Sequence, residues 1–126
     1  MEFELPLRAL CDSEVEFVVI GGLSAVLHGG AYVTFDLDVC YTPGGANVKR
    51  LVKALAPFHP RPQGFPAELP FLWDEATLRN STVLTLTTDA SDIDLLAEVA
   101  SIGDWDKVKS QSVMVEAFGR KFQFSI

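Results

Sequence analysis

Apolar and polar residues follow two periods along this chain, and the changes between them predict its elements. Residues 5–11 place Leu7, Leu10 and Cys11 on one helical face, with Pro6 tolerated in the first turn. Residues 15–20 read as a strand whose last four positions, Phe17, Val18, Val19 and Ile20, are all apolar, as in a strand covered on both faces. After Gly21 and Gly22, the i, i+3, i+4 spacing of Leu23, Val26 and Leu27 predicts a short helix over 23–28, ended by Gly29 and Gly30. Residues 33–41 return to period two. Asp36, Asp38 and Cys40 share one parity, and Leu37, Val39 and Tyr41 take the other, which is the packed face.

The second half continues the same way. Val48, Leu51, Val52 and Leu55 predict a helix over 46–56, with Lys49, Arg50 and Lys53 elsewhere on the cylinder as a solvated face or a contact for a polyanionic substrate. Residues 59–70 hold four prolines and read as a surface loop able to border a cleft, and no role attaches to His59 within it. A short strand is expected at 71–73 and a turn of helix capped by Asp74 through about residue 79. Strands follow at 82–88 and 92–97, then a helix capped by Asp104 through about residue 110. A terminal hairpin joins 112–117 to 120–125 around Phe118 and Gly119. The expected fold is α/β (α+β): a mixed sheet of about five strands, helices mainly on one side, and a C-terminal β-hairpin.

Length and charge narrow the classes. A chain of 126 residues with 48% hydrophobic content fits one domain spanning 1–126. Its net charge of −7 argues against an extended nucleic-acid surface, which is normally basic, but not against a metal-neutralised nucleotide. Two cysteines, no basic-then-apolar leader and no run long enough to cross a bilayer point to a reducing cytoplasm and no membrane. Two Cys and two His at this spacing do not suggest zinc, and Cys40 reads as a small buried residue.

Candidate chemistry lies in residues 18–41. Two carboxylates two apart on a strand, Asp36 and Asp38, repel unless a cation lies between them. Mg²⁺ or Mn²⁺ suits such oxygen donors and commonly takes one or two carboxylates together with substrate phosphates. Gly21 and Gly22 allow close approach to the main chain, and a helix start offers N–H groups to an anion. A second Asp-x-Asp, at Asp92 and Asp94, opens the strand over 92–97. Asp92 lies nearer the turn, where it can serve as a cap.

Gly21-Gly22, His28-Gly29, Thr34-x-Asp36-x-Asp38 and Ile93-Asp94-Leu95-Leu96, in that order, resemble the nucleotidyltransferase superfamily of DNA polymerase beta, and more closely its small bacterial branch that includes the AbiEii-type toxins. That resemblance implies Mg²⁺-dependent transfer of a nucleoside monophosphate from a nucleoside triphosphate such as ATP to a hydroxyl acceptor on RNA or protein, in a toxin–antitoxin setting. It implies that Asp36, Asp38 and Asp94 bind metal and act in catalysis. It also implies that Gly21, Gly22 and Leu23 face phosphate oxygens, with Ser24, His28 and Thr34 lining the nucleotide site. Bland alternatives stand beside these: an exposed helix serine for Ser24, capping for His28, a strand-forming residue for Thr34.

Tyr32 stands where the family usually has arginine. Family members also continue past the last strand into a helix with a lysine, so a minimal protein, a fragment, a homodimer or one half of an assembly with a partner subunit are all open. A non-catalytic nucleotide-binding or protein-interaction module of the same fold is the alternative reading. Phe35-Asp36-Leu37-Asp38 also looks like the first motif of haloacid dehalogenase-like phosphatases, but Val39-Cys40 follows where those enzymes normally have Gly-Thr.

Overall fold

The computed structural model describes residues 4–20, 36–66, 68–99 and 102–125. Helix α1 (Glu4–Asp12) leads into strand β1 (Phe17–Ile20). Strand β2 (Asp36–Tyr41) and helix α2 (Gly45–Leu55) follow, with a 3₁₀ turn at Ala56–Phe58. Next come β3 (Arg61–Pro62), α3 (Glu75–Arg79), β4 (Val83–Thr87) and β5 (Asp92–Leu96). The chain continues through β6 (Glu98–Val99), β7 (Gly103–Asp104), α4 (Trp105–Ser110), β8 (Val113–Ala117) and β9 (Arg120–Ser125).

Among the described residues seven strands form one mixed sheet in the order β3-β4-β5-β2-β1-β9-β8, and β6 pairs with β7 separately. The sheet is therefore larger than the five strands expected. The C-terminal hairpin is part of it, because β9 pairs in parallel with β1, and a two-residue strand from the proline-rich segment adds the far edge. Parallel pairing of β2 with β5 lies at the centre, between the antiparallel pairs β1·β2 and β4·β5.

One face of the sheet carries the main core. Leu37, Val39 and Tyr41 on β2, with Ile93 and Leu95 on β5, are buried there against Leu7 and Leu10 of α1 and Val48, Leu51 and Leu55 of α2. Burying a side chain of this size is worth about 1.5–3 kcal/mol. The expected parity of β2 is thus the observed one. On the other face α4 sets Val108 against Val18 and Cys40, with Trp105 and Ile20 packed around them. Helices consequently lie on both sides.

Local signals explain the helix starts. The Asp74 carboxylate accepts the Thr77 N–H at 3.1 Å, and that of Asp104 accepts the Lys107 N–H at 3.3 Å. The strand expected at 71–73 does not form. The Trp73 indole N–H instead donates to the Val52 carbonyl at 2.8 Å, which fixes that segment on α2. Within the proline-rich loop, the Arg61 guanidinium donates to the carbonyls of Pro66 and Leu69 at 2.9 and 2.8 Å and lies over the Phe65 ring. Among the described residues, no helix is long and apolar enough to cross a membrane.

Candidate functional site

Two strands position the described acids. β2 and β5 run side by side in parallel, and their register sets Asp38 beside Asp94 and position 36 beside Asp92. Neighbouring strands are about 4.8 Å apart, and residues paired across a ladder point to one face. Asp38 and Asp94 therefore project together from the face opposite the main core. Their row reads Ser125, Ile20, Asp38, Asp94, Thr85 from β9 across to β4. The next row toward the start of β2 pairs position 36 with Asp92 and Asp92 with Thr87.

Burial changes abruptly between rows. One step along β2 from Asp38, Cys40 sits wholly buried with Val18 under Val108 of α4. Burial, followed by the nearby Asp104 carboxylate, pushes the Cys40 thiol up to about 11. It is a packing residue with its proton held on, not a nucleophile. Asp38 and Asp94 are half-buried at the margin of that apolar cover. Such a position partly excludes water from the carboxylates.

A hydrogen-bonded clamp holds the far end of this arrangement. Asn47, in the first turn of α2, is buried. Its side-chain oxygen accepts the Glu16 N–H at 2.7 Å, and its amide donates to the carbonyls of Glu16 and Thr42, each at 3.0 Å. One side chain thereby ties the residue before β1 to the residue after β2. Those strands pair antiparallel from Phe17–Tyr41 to Ile20–Asp38, so the clamp closes the end of the ladder whose other end carries Asp38. Sequence reasoning gave Asn47 no part, since an asparagine in a helical turn carries no signal of what lies across from it.

The sequence-derived candidates divide into three groups. Asp38 and Asp94 are brought together. Asp36 begins β2 in register with Asp92, and its side chain lies outside the described residues. Gly21, Gly22, Leu23, Ser24, His28, Tyr32 and Thr34 also lie outside them. Sequence reasoning did not single out Thr85 and Thr87. Both are strand-forming residues, and only the β4–β5 register reveals that they border Asp94 and Asp92.

The donor set fits a hard cation, because carboxylate oxygens from adjacent strands are its preferred ligands. Among the described residues no three His, Cys, Asp or Glu side chains form a group placed to hold a metal ion. The described pair matches the one or two protein carboxylates that Mg²⁺ commonly takes.

Other charged and concave features lie elsewhere. Lys49 and Lys53 are exposed on α2, which packs on the core face, so they are separated from the acids by the sheet itself. A cleft of about 310 Å³ lined by Tyr41, Val48, Leu78, Asn80 and Thr82 opens past the ends of β2 and β5 remote from Asp36 and Asp92. The His59 ring nitrogen Nδ1 lies within hydrogen-bond reach of the Asp89 carboxylate on the exposed surface.

Comparison of the chain with protein-family models, with curated proteins and with solved structures finds no match.

Proposed function

We propose that the chain is a metal-dependent nucleotidyltransferase that moves a nucleoside monophosphate from a nucleoside triphosphate to a hydroxyl acceptor on RNA or protein. The observation that carries this reading is the pairing of Asp38 with Asp94 across β2 and β5, on the face opposite the main core. The ordered motifs Gly21-Gly22, His28-Gly29, Thr34-x-Asp36-x-Asp38 and Ile93-Asp94-Leu95-Leu96 supply the resemblance to the DNA polymerase beta superfamily.

In this reading Asp36, Asp38 and Asp94 hold Mg²⁺ or Mn²⁺. When bound, the cation offsets triphosphate charge and lowers the pKa of the acceptor hydroxyl. Asp94 takes the proton from that hydroxyl. The acceptor oxygen bonds to the α-phosphorus as the bond from that phosphorus to pyrophosphate breaks, so the nucleoside monophosphate is transferred whole. The backbone at Gly21, Gly22 and Leu23 receives phosphate oxygens, and Ser24, His28 and Thr34 line the nucleotide. A cytoplasmic toxin–antitoxin component is the setting that the resemblance to the AbiEii-type branch implies.

Tyr32, where an arginine is usual in that superfamily, favours a second reading: a module of the same fold that binds nucleotide without transferring it. One experiment separates the two. The protein is incubated with Mg²⁺ and each α-labelled nucleoside triphosphate over cellular RNA and protein, with Asp38→Asn as control. Label transferred by wild type and not by Asp38→Asn supports the enzyme. Calorimetric binding of a nucleotide with no transfer to any acceptor supports the module.

A further inference from the structure

The two edges of the seven-stranded sheet are built differently. At one edge β3 has two residues, one of them Pro62, and the loop after it is folded back by Arg61. Shortness and proline are ordinary ways of protecting an edge from pairing. At the other edge β8 has five residues, Val113–Ala117, with no proline and no lysine. Val113 and Met114 there are 60% and 58% exposed.

The hairpin geometry fixes which backbone groups face outward. Phe118 and Gly119 both have positive φ, 55° and 73°, as in a two-residue type I′ turn. In such a hairpin the flanking pair, Ala117 and Arg120, exchanges both hydrogen bonds. Alternation then turns the N–H and C=O of Val113, Val115 and Ala117 toward β9, and those of Met114 and Glu116 away from it.

We infer that β8 pairs antiparallel with β8 of a second copy of this chain, about a two-fold axis at Val115. This register sets Met114 opposite the partner's Glu116, and the reverse, so the outward groups meet in about four ladder hydrogen bonds. It opposes no like charges. It also sets Val113 opposite Ala117 on the face that Val115 and Ala117 share with the main core, so the apolar row runs on unbroken from one copy into the next. Charge permits the approach: the chain carries −7 overall, yet the hairpin sets only Glu116 against Arg120 and Lys121. A two-fold closes after one pairing and leaves no further β8 edge open. The inference stands independently of the nucleotidyltransferase reading.

Sedimentation of the full chain from 1 to 200 µM tests it, with circular dichroism as the fold control. The expected result is a monomer–dimer equilibrium, weakened at least tenfold by Met114→Glu, which opposes two glutamates. Adding Glu116→Lys to Met114→Glu should restore the dimer. A wild-type monomer throughout, open-ended oligomers, or a dimer indifferent to Met114→Glu would overturn the inference. Should Met114→Glu fail to fold, Val115→Cys in a Cys11→Ala background gives a second readout. Symmetric thiols at the axis should form a disulfide-linked dimer under oxidised glutathione, and a chain that stays uncrosslinked contradicts the two-fold.

Discussion

Asp38 and Asp94 are direct lateral neighbours on two parallel strands, 56 positions apart in sequence and in register in the sheet. Two like charges at about 5 Å repel by roughly 1 kcal/mol in water and about 3 kcal/mol at an effective dielectric constant near 20. Folding brings the two side chains onto one face of the sheet, where a cation bound between them would offset that repulsion.

Replacing Asp94 with asparagine removes one of the two charges and keeps the side-chain shape. Asp94→Asn is expected to stabilise the metal-free protein by about 1 kcal/mol or less, given its partly exposed site. Urea denaturation with chelator present checks this. With saturating Mg²⁺ the gain should vanish or reverse, because the variant then lacks a ligand.

Asn47 should behave in the opposite way. Asn47→Ala leaves the Glu16 N–H and the Glu16 and Thr42 carbonyls without their side-chain partner in a buried setting. The expected loss is about 2–4 kcal/mol by denaturant unfolding. Asn47→Asp should be no better than alanine. Its carboxylate can still accept from Glu16 but faces two carbonyl oxygens it cannot donate to.

The elements were legible wherever a single period ran unbroken. The α2 face made by Val48, Leu51 and Leu55, the inward parity of Leu37, Val39 and Tyr41, and the caps at Asp74 and Asp104 all follow from local chemistry and are found in place. What was not legible was pairing between distant segments. Nothing local in residues 120–125 says that β9 lies parallel to β1, so the hairpin read as an appendage and the sheet as too small. Residues 71–73 show the converse. Their apolar content reads as a strand, but the Trp73 indole finds a carbonyl on α2 first. For the site, the two Asp-x-Asp motifs were visible as motifs. The resemblance implied that Asp94 joins Asp38; that the two are direct lateral neighbours, with Asp92 beside position 36, required the register.

An exposed ion pair gives the protein a pH signature away from the site. Arg120, at the start of β9, donates to both Asp12 oxygens at 2.7 and 3.1 Å, joining the end of α1 to the sheet. That hydrogen bond holds the Asp12 carboxyl below its usual value of 3.8. A folded-state value below the unfolded one gives stability that is present above pH 3.8 and lost as pH falls through the folded value. In Arg120→Ala the Asp12 midpoint, followed by NMR, should rise toward 3.8, and this part of the acid sensitivity should disappear.

The most direct test of the account is a Mn²⁺ titration of wild type, Asp38→Asn and Asp94→Asn, followed by electron paramagnetic resonance. Circular dichroism establishes that all three are folded. If carboxylates from β2 and β5 hold one cation between them, wild type should bind Mn²⁺ and each variant should lose at least tenfold in affinity with its spectrum unchanged. Titrations that superimpose for all three proteins would contradict the metal site, and the nucleotidyltransferase reading with it.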